Sequence, residues 1–283
     1  MARRRDRIIA LLLLLGVIGA TLALWGLPEG LGRKRVALVE VRGAVLDPDP
    51  VVAQLRKYAR DRSVAAIVLR IESPGGSVAA AQEIHRAVLQ ARDAGKRVVA
   101  SMGNLAASGG YYIAVAADTI VANPGTITGS IGVIAKFPNV EELLDKLGLK
   151  VEVVKSGRYK DIGSPLRRMK EEERRLLREV LEDAYEQFLE AVAIGRGLPD
   201  GRIRPYADGR IFTGRQALSL GFVDVLGGYQ DAIDLAGRMA GIGPSPPTVG
   251  GRRRGLIERL LRIVADRIDP LPVGAGLYYL FGK

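Results

Sequence analysis

The stretch VAAIVLRIESPGGSV at residues 64–78 contains, in order, an apolar run, a glycine turn and the start of a helix. Residues 64–71 predict a buried parallel strand, and residues 78–94 predict a helix with Ser77 as its N-cap. Glycines without a Cβ can direct their N–H groups toward a developing oxyanion, so Pro74-Gly75-Gly76 has an anion-binding geometry. Pro-Gly-Gly is also an ordinary tight turn, and the turn alone leaves both interpretations open.

Strand and helix patterns alternate on both sides of this stretch. Further strands are predicted at residues 36–41, 97–102, 119–122 and 149–154, and further helices at residues 50–60 and 171–196. Repeated βαβ units predict an α/β fold with a mainly parallel sheet, whose ligands bind at the carboxyl ends of the strands. The fold class alone does not define the activity, because this architecture also hosts acyl-coenzyme A chemistry.

Ser108 lies in the segment GNLAASGGYY at residues 103–112, where small residues open an apolar helix. Ser108 and the glycine turn each follow a predicted strand, so both are expected at one edge of the sheet. At the first turn of a buried helix, N–H groups and the helix dipole favour an anionic oxygen, which makes Ser108 a candidate nucleophile. The alternative is that Ser108 only caps the helix and that the glycines only permit close packing.

The chain has no cysteine and one histidine. The absence of cysteine excludes thiol catalysis and cysteine-rich zinc sites, and one histidine cannot build a histidine-rich metal site, so no metal or cofactor is expected. A Ser-His-Asp triad would have to use His85, in the polar stretch QEIHR at residues 82–86. This stretch predicts a solvated helix face, and a structural role is expected for His85.

Lys160 lies in the segment SGRYKDIGSP at residues 156–165. The chain has 10 lysines against 32 arginines, so it usually uses arginine where only charge is needed. Burial can deprotonate a lysine and turn it into a base, and a serine with a desolvated lysine is a known acyl-transfer pair. The alternative is a surface lysine in a loop, and the sequence does not show that Ser108 and Lys160 meet.

Four motifs in order resemble the signal peptide peptidase A family. They are SPGG at residues 73–76, AASGGYYIA at 106–114, TGSIGVI at 128–134 and YKDIGSP at 159–165. FTGRQAL at 212–218 and LGFVD at 220–224 are similar to the closing segment of that family. The resemblance covers residues 36–242 and implies a Ser-Lys protease domain of the Clp-protease/crotonase fold, built from repeated ββα and βαβ units.

The resemblance also implies residue roles, with Ser108 as the nucleophile and Lys160 as the general base. The residues that it assigns to the oxyanion hole or to orienting the lysine are Gly75, Gly76, Gly109 and Ser130. Members of the family assemble into rings or domes, and in single-length members the lysine can come from the neighbouring protomer. A ring-shaped homo-oligomer is therefore expected.

The N-terminal segment predicts a membrane anchor. Residues 8–27 carry no charge and would span about 30 Å as a helix, so residues 1–30 are interpreted as a retained transmembrane helix. A cleaved signal peptide is the alternative. Basic residues at positions 3, 4, 5 and 7 keep the N-terminus cytoplasmic under the positive-inside rule and place the protease domain outside the cytoplasm, although residues 33–35 are also basic.

The net charge of +11 is concentrated at the two ends of the chain. Residues 1–35 hold seven basic and two acidic side chains, and residues 251–283 hold seven and three, which leaves +2 for the body of the chain. Basic residues beside an anchor meet anionic lipid headgroups at about 1 kcal/mol each. Membrane lipid is therefore an expected partner, and nucleic acid is not.

Two further segments leave alternatives open. The amphipathic helix at residues 171–196 has an apolar stripe that is interpreted mainly as core, with an oligomer interface as the alternative. Residues 243–283 are interpreted as a linker and a basic amphipathic tail, with residues 241–251 rich in Gly and Pro. The tail is expected on the lipid surface, in a neighbour's active-site groove, or as an ordinary packed helix.

The sequence thus predicts a membrane-anchored serine endopeptidase that cleaves apolar peptides, such as remnant signal peptides, outside the cytoplasm. No sequence feature defines its subsites, so the substrate follows from the resemblance alone. One alternative is a membrane-protein-directed peptidase of the same clan, partnered with a stomatin-like protein. The other is a catalytically silent membrane scaffold, which loss of Ser108 or Lys160 would mark, and both residues are present.

Overall fold

The computed structural model describes residues 34–251 and the backbone of residues 278–280. Among these residues, no helix is both long enough and apolar enough to cross a bilayer. The predicted anchor at residues 1–30 and the predicted tail helix lie outside the described residues.

The secondary structure alternates between strands and helices over most of the chain. The strands are β1 (Arg35–Arg42), β2 (Val64–Ser73), β3 (Gly75–Ser77), β4 (Arg97–Ala107), β5 (Thr119–Ala122), β6 (Ile127–Gly129), β7 (Ile211–Thr213), β8 (Val225–Leu226), β9 (Thr248–Gly250) and β10 (Tyr278–Leu280). The α-helices are α1 (Asp49–Arg60), α2 (Val78–Asp93), α3 (Gly109–Ala114), α4 (Glu141–Lys146), α5 (Glu171–Arg196), α6 (Asp200–Ile203), α7 (Gly214–Leu220) and α8 (Tyr229–Met239).

One central sheet of eight strands organises the fold. Its main path has the order β7-β6-β4-β2-β1-β9, with β5 paired to β4 and β8 paired to β5. Every pair is parallel except β6 with β7. The long strand β4 pairs with β5 through residues 99–101 and with β6 through residues 105–107. The predicted mainly parallel α/β sheet is confirmed.

Helices cover both faces of the sheet. Alternate residues of its central strands point to opposite faces, so both sets of side chains are buried. On one face, Leu69 of β2 belongs to a cluster with Leu55 of α1 and Ile84 of α2. On the other face, Val68 packs in a cluster with Ile233 of α8. Helices on both faces explain why residues 64–69 form a continuous apolar run rather than an alternating one.

The register of β2 against β4 brings the two candidate catalytic segments together. Ser73 at the end of β2 pairs with Ala106 near the end of β4. The glycine turn and Ser108 follow these two strands directly. The prediction that both lie at one edge of the sheet is confirmed.

The strand predicted at residues 149–154 is absent from the structure. These residues have no regular secondary structure and are exposed. Their alternation of apolar and charged side chains fits a strand, but a strand needs a backbone partner, and none of the described strands pairs with them.

Two other segments differ from their predicted roles. Residues 248–250, within the predicted linker, form β9 and pair with β1, so the sheet extends beyond residue 242. The apolar stripe of α5 packs in the core only in its C-terminal half, where Phe188 and Val192 are buried. In its N-terminal half Leu176 and Val180 are 37% and 49% exposed, because no described element covers them.

Candidate active site

Ser108 occupies the junction between β4 and α3 with φ of 54° and ψ of −118°. This φ lies in the region that favours glycine. The residue is 1% exposed, and its hydroxyl makes no capping hydrogen bond. Within the described residues its Oγ has no hydrogen-bond partner at all. A role as a simple helix cap therefore finds no support in the structure.

The two glycines of the turn direct their peptide groups differently. The Gly75 N–H donates to Ser73 Oγ at 3.1 Å, and the Gly75 carbonyl accepts from the Val45 N–H at 2.8 Å. The Ser77 N–H donates to the Val45 carbonyl at 2.8 Å. Because peptide groups alternate along an extended strand, the N–H and carbonyl of Gly76 face the opposite edge, away from Val45.

The packing of Val45 requires glycine at position 76. A Cβ on Gly76 would lie 2.1 Å from the Val45 carbonyl oxygen and 2.5 Å from its nitrogen. No sequence motif marks Val45, which follows β1. Its contact with β3 becomes visible only once the sheet is assembled.

Ser130 lies close to the nucleophile candidate because β6 pairs with the end of β4. The Ser108 N–H donates to the Gly129 carbonyl at 2.8 Å. Ser130 is 7% exposed and has φ of 52°. The two serines therefore follow the ends of neighbouring strands, with left-handed backbones and buried side chains.

Helix α3 is packed tightly against the end of β2. A Cβ on Gly110 would lie 3.0 Å from the Ser73 carbonyl oxygen. Gly109 begins the helix, where the first N–H groups have no intrahelical acceptors. The Tyr111 hydroxyl donates to the Phe222 carbonyl at 3.0 Å, and burial raises the pKa of Tyr111 well above its ordinary value. The start of this helix is thus fixed from both sides.

His85 packs against Tyr112 with the ring centroids 4.9 Å apart. Burial, together with the nearby charge of Arg92, lowers the pKa of His85 to about 4. The predicted solvated face at residues 82–86 is therefore wrong for His85, because its ring is partly buried on Tyr112. These contacts agree with a structural role for His85, and its imidazole does not bond the Ser108 hydroxyl.

Lys160 is exposed on the segment of residues 155–161 between α4 and α5, here named the lysine loop. Since Ser108 Oγ has no hydrogen-bond partner, the structure does not join it to the Lys160 amine. Every residue from 145 to 160 is exposed, including Leu147 at 63% and Val154 at 95%. The burial expected for Lys160 is not present within this single chain.

A cavity of about 480 Å³ opens beside Ser130. Its lining includes apolar Ile134 and Leu181 as well as acidic Glu182 and Asp208.

Within the described residues, no group of three or more acidic, histidine or cysteine side chains is arranged to hold a metal ion.

A peptide strand lies along the edge that Gly76 faces. Residues 278–280 form β10, which pairs antiparallel with β3, and Tyr279 lies opposite Gly76. The sequence left the position of the tail open between a lipid surface, a neighbour's groove and an ordinary packed helix. The structure places these three residues on β3 of the same chain.

The fold and the site define a class of protein, a serine peptidase with a Clp-protease-like α/β domain. Comparison with known families agrees with this class. The family described as Clp protease matches residues 39–125, and the family described as Peptidase family S49 matches residues 90–242. The chain belongs to peptidase family S49.

Its relatives carry the names of proteases and peptidases. Putative protease slr0021 of Synechocystis sp. is 46% identical over 75% of this chain and 76% of that protein. Putative signal peptide peptidase SppA of Enterococcus faecium is 35% identical over 74% of this chain and 64% of that protein. Protease 4 of Salmonella typhi is 37% identical over 72% of this chain but only 34% of that longer protein. The prediction of a peptidase is confirmed.

Proposed function

We propose that Ser108 is the nucleophile of a serine endopeptidase. The proposal is supported by one observation. The hydroxyl of Ser108 is buried and has no hydrogen-bond partner. Among the described residues, the only other buried side-chain polar atom without a partner is Nε of Arg35. Buried hydroxyls are nearly always paired, so an unpaired one at a strand–helix junction calls for a functional explanation.

The backbone N–H groups of Gly76 and Gly109 are the proposed oxyanion donors. Gly76 is favoured over Gly75, whose N–H already donates to the Ser73 hydroxyl. Gly76 directs its N–H to the edge at which a peptide strand can lie. One such donor contributes about 3–4 kcal/mol to stabilising the tetrahedral intermediate of acyl transfer.

Lys160 of a second copy is the proposed general base, with Ser130 orienting its amine. The exposed apolar side chains of residues 145–160 support this, because large exposed apolar surfaces mark interaction sites. Leu149 and Val151 alternate with charged residues, a pattern suited to pairing with another chain. Leu176 and Val180 in the N-terminal half of α5 are further exposed apolar side chains. Contact between copies would also supply the burial that favours a neutral amine.

The proposed chemistry proceeds through an acyl-enzyme. The neutral Lys160 amine takes the proton of the Ser108 hydroxyl as Oγ bonds to the substrate carbonyl carbon, and the carbonyl oxygen becomes the oxyanion. Collapse of this intermediate breaks the C–N bond, and the lysine ammonium returns its proton to the leaving amine. Water then attacks the ester with the same amine as base, which releases the carboxylic acid and restores Ser108.

Substrates are proposed to bind as an added strand on β3. The pairing of β10 with β3 supports this binding mode, because backbone hydrogen bonds give affinity without a fixed sequence. A requirement for extended backbone suits unfolded apolar peptides. The name of the Enterococcus faecium relative, putative signal peptide peptidase, supports signal-peptide remnants as the substrate class.

The proposed site of action is the membrane surface outside the cytoplasm. The uncharged residues 8–27 and the basic residues that precede them support an N-terminal anchor. Basic residues near both ends of the chain support contact with anionic lipid.

The test uses the full chain in detergent with a fluorogenic apolar peptide. Ser108→Ala and Lys160→Ala are expected to lose activity, and co-expression of the two variants is expected to restore part of it. The matched controls are Ser245→Ala, which changes another serine with positive φ, and Lys57→Ala, which changes another exposed lysine. Both controls are expected to retain activity.

Each outcome decides a different part of the proposal. Activity that survives in Ser108→Ala or Lys160→Ala contradicts the dyad. Two inactive variants without recovery on co-expression contradict pairing between copies. An assembled but inactive wild-type chain favours a silent scaffold.

A further inference from the structure

A chain of ion pairs lies beneath the lysine loop. Its innermost member is Glu173, which is 1% exposed and is the only charged residue among those described that is buried. Glu173 belongs to the first turn of α5. Its Oε2 also accepts the Lys170 N–H at 2.9 Å, which ties the carboxylate to the start of the helix.

Arg167 joins this buried carboxylate to the lysine loop. Its Nη1 and Nη2 donate to the two carboxylate oxygens of Glu173 at 2.8 and 2.6 Å, a bidentate arrangement. Its Nε donates to Oδ2 of Asp161 at 2.8 Å. Planar bidentate pairs fix direction as well as distance, so Arg167 sets the position of Asp161 relative to α5.

Asp161 is the residue next to Lys160 and closes the lysine loop. Its Oδ1 accepts from the Lys155 amine at the other end of the loop. The loop backbone is also ordered, because the Lys160 N–H donates to the Gly157 carbonyl at 3.2 Å and the Ile162 N–H to Tyr159 at 3.0 Å. The main chain at Lys160 is therefore tied to α5 through Asp161.

The two carboxylates of these ion pairs are ionised at neutral pH. Hydrogen bonds from Arg167 hold the pKa of Glu173 at about 2, and those from Arg167 and Lys155 hold the pKa of Asp161 well below its ordinary value. A buried ion pair is rarely more stabilising than apolar residues of the same volume. Its presence under a loop that is otherwise exposed indicates that it fixes the position of the loop rather than adding stability.

We propose that Glu173, Arg167 and Asp161 are positioning residues that hold the lysine loop so that the Lys160 amine reaches Ser108. This inference rests on the proposed function of Lys160. None of the three touches the substrate, and each acts through the main chain at residue 160. Weakening these ion pairs would leave substrate binding intact and would displace the Lys160 amine from Ser108.

The first experiment compares two substitutions on α5 in the full chain. Glu173→Gln removes the buried carboxylate, and Glu186→Gln is the matched control, since Glu186 also accepts two bonds from one arginine, Arg204, at 2.8 Å but is exposed. Glu173→Gln is expected to lower kcat by at least about tenfold with little change in KM, because small misplacements of a catalytic group are costly. Glu186→Gln is expected to leave both constants within about twofold.

Co-expression assigns the effect to one copy. Glu173→Gln is placed either on the Ser108→Ala chain, which supplies the lysine, or on the Lys160→Ala chain, which supplies the serine. Activity is expected to fall only in the first case. A loss that follows the serine-supplying chain overturns the inference, whereas failure of the parent pair to recover activity contradicts only pairing between copies.

Hydrogen exchange provides a readout that does not depend on catalysis. In the Ser108→Ala background, Glu173→Gln is expected to speed amide exchange in residues 155–164 by at least about fivefold, while Glu186→Gln leaves it unchanged. Unchanged exchange in a folded Glu173→Gln chain overturns the inference even if activity falls. If that variant does not fold, Arg167→Lys keeps the charge without the bidentate geometry and is expected to show a smaller effect in both assays.

Discussion

Substitution of Gly76 by alanine tests the proposed oxyanion hole most directly. The added Cβ would lie 2.1, 2.5 and 2.6 Å from the oxygen, nitrogen and carbonyl carbon of Val45. Ordinary contacts at such atoms begin near 3.4 Å, so the main chain of β3 or of Val45 must move by about 1 Å. All three are backbone atoms of Val45, and no flexible side chain can absorb the shift.

The expected loss of activity follows from this displacement. Moving an oxyanion donor out of place costs about 10²–10³ in kcat, which corresponds to roughly 3–4 kcal/mol of transition-state stabilisation. The overpacking itself is expected to lower the free energy of unfolding by about 1–3 kcal/mol. Gly76→Ala should therefore fold, melt at a lower temperature and lose about two orders of magnitude in kcat.

The measurement pairs peptide kinetics with thermal unfolding. Gly125→Ala is the matched control, because no atom lies within 4 Å of the position of its Cβ and its φ is not positive. This variant is expected to keep wild-type kcat, KM and Tm. A folded Gly76→Ala chain with kcat within about threefold of the wild type would refute the assignment of Gly76 as a donor.

Two further predictions concern His85 and the strand β10. His85→Gln is expected to keep wild-type kcat at neutral pH. Removal of a general base would instead lower kcat by roughly 10²–10⁴-fold. Burial lowers the pKa of His85 from 6.5 to about 4. Between these pH values the unfolded chain binds a proton on His85 and the folded chain does not, so the free energy of unfolding decreases as the pH falls through this interval. Urea titrations at pH 7 and pH 4.5 should show a smaller difference in His85→Gln than in the wild type, and an equal difference would contradict the burial of this ring. Deleting residues 278–283, or Tyr279→Pro, is expected to lower KM for the reporter peptide at unchanged kcat, because both changes remove the strand opposite Gly76. An unchanged KM in both variants would show that β10 does not compete with substrate.

The parts of the fold that depend on local pattern could be predicted from the sequence. The patterns at residues 64–71 and 97–102 each predict a strand, and parallel strands bring the segments that follow them, the glycine turn and Ser108, to one edge. The difference between Gly75 and Gly76 could not be predicted, because it depends on Val45, which is distant in sequence. Only the assembled sheet shows that the Gly75 N–H donates to the Ser73 hydroxyl and that Gly76 faces the edge on which β10 lies.

The parts that were missed depend on partners outside the local pattern. Residues 149–154 alternate like a strand, but a strand forms only where another backbone accepts its hydrogen bonds. Glu173 resembles any acidic residue in the first turn of a helix, where it would favour the dipole from an exposed position. Its burial follows from the fold of the loop that carries Arg167, and no sequence pattern marks that fold.

At Ser108 the backbone conformation that lowers stability occurs at the proposed nucleophile. A non-glycine residue with φ of 54° costs about 1–3 kcal/mol, and burying an unpaired hydroxyl costs about 1–3 kcal/mol more. Glycine would relieve both costs, since it adopts positive φ freely and has no hydroxyl to desolvate. The fold would thus be more stable without its serine. Under the proposed role of Ser108, a copy of this chain released from selection for catalysis would gain stability by losing this serine, so its persistence would depend on the reaction and not on the fold.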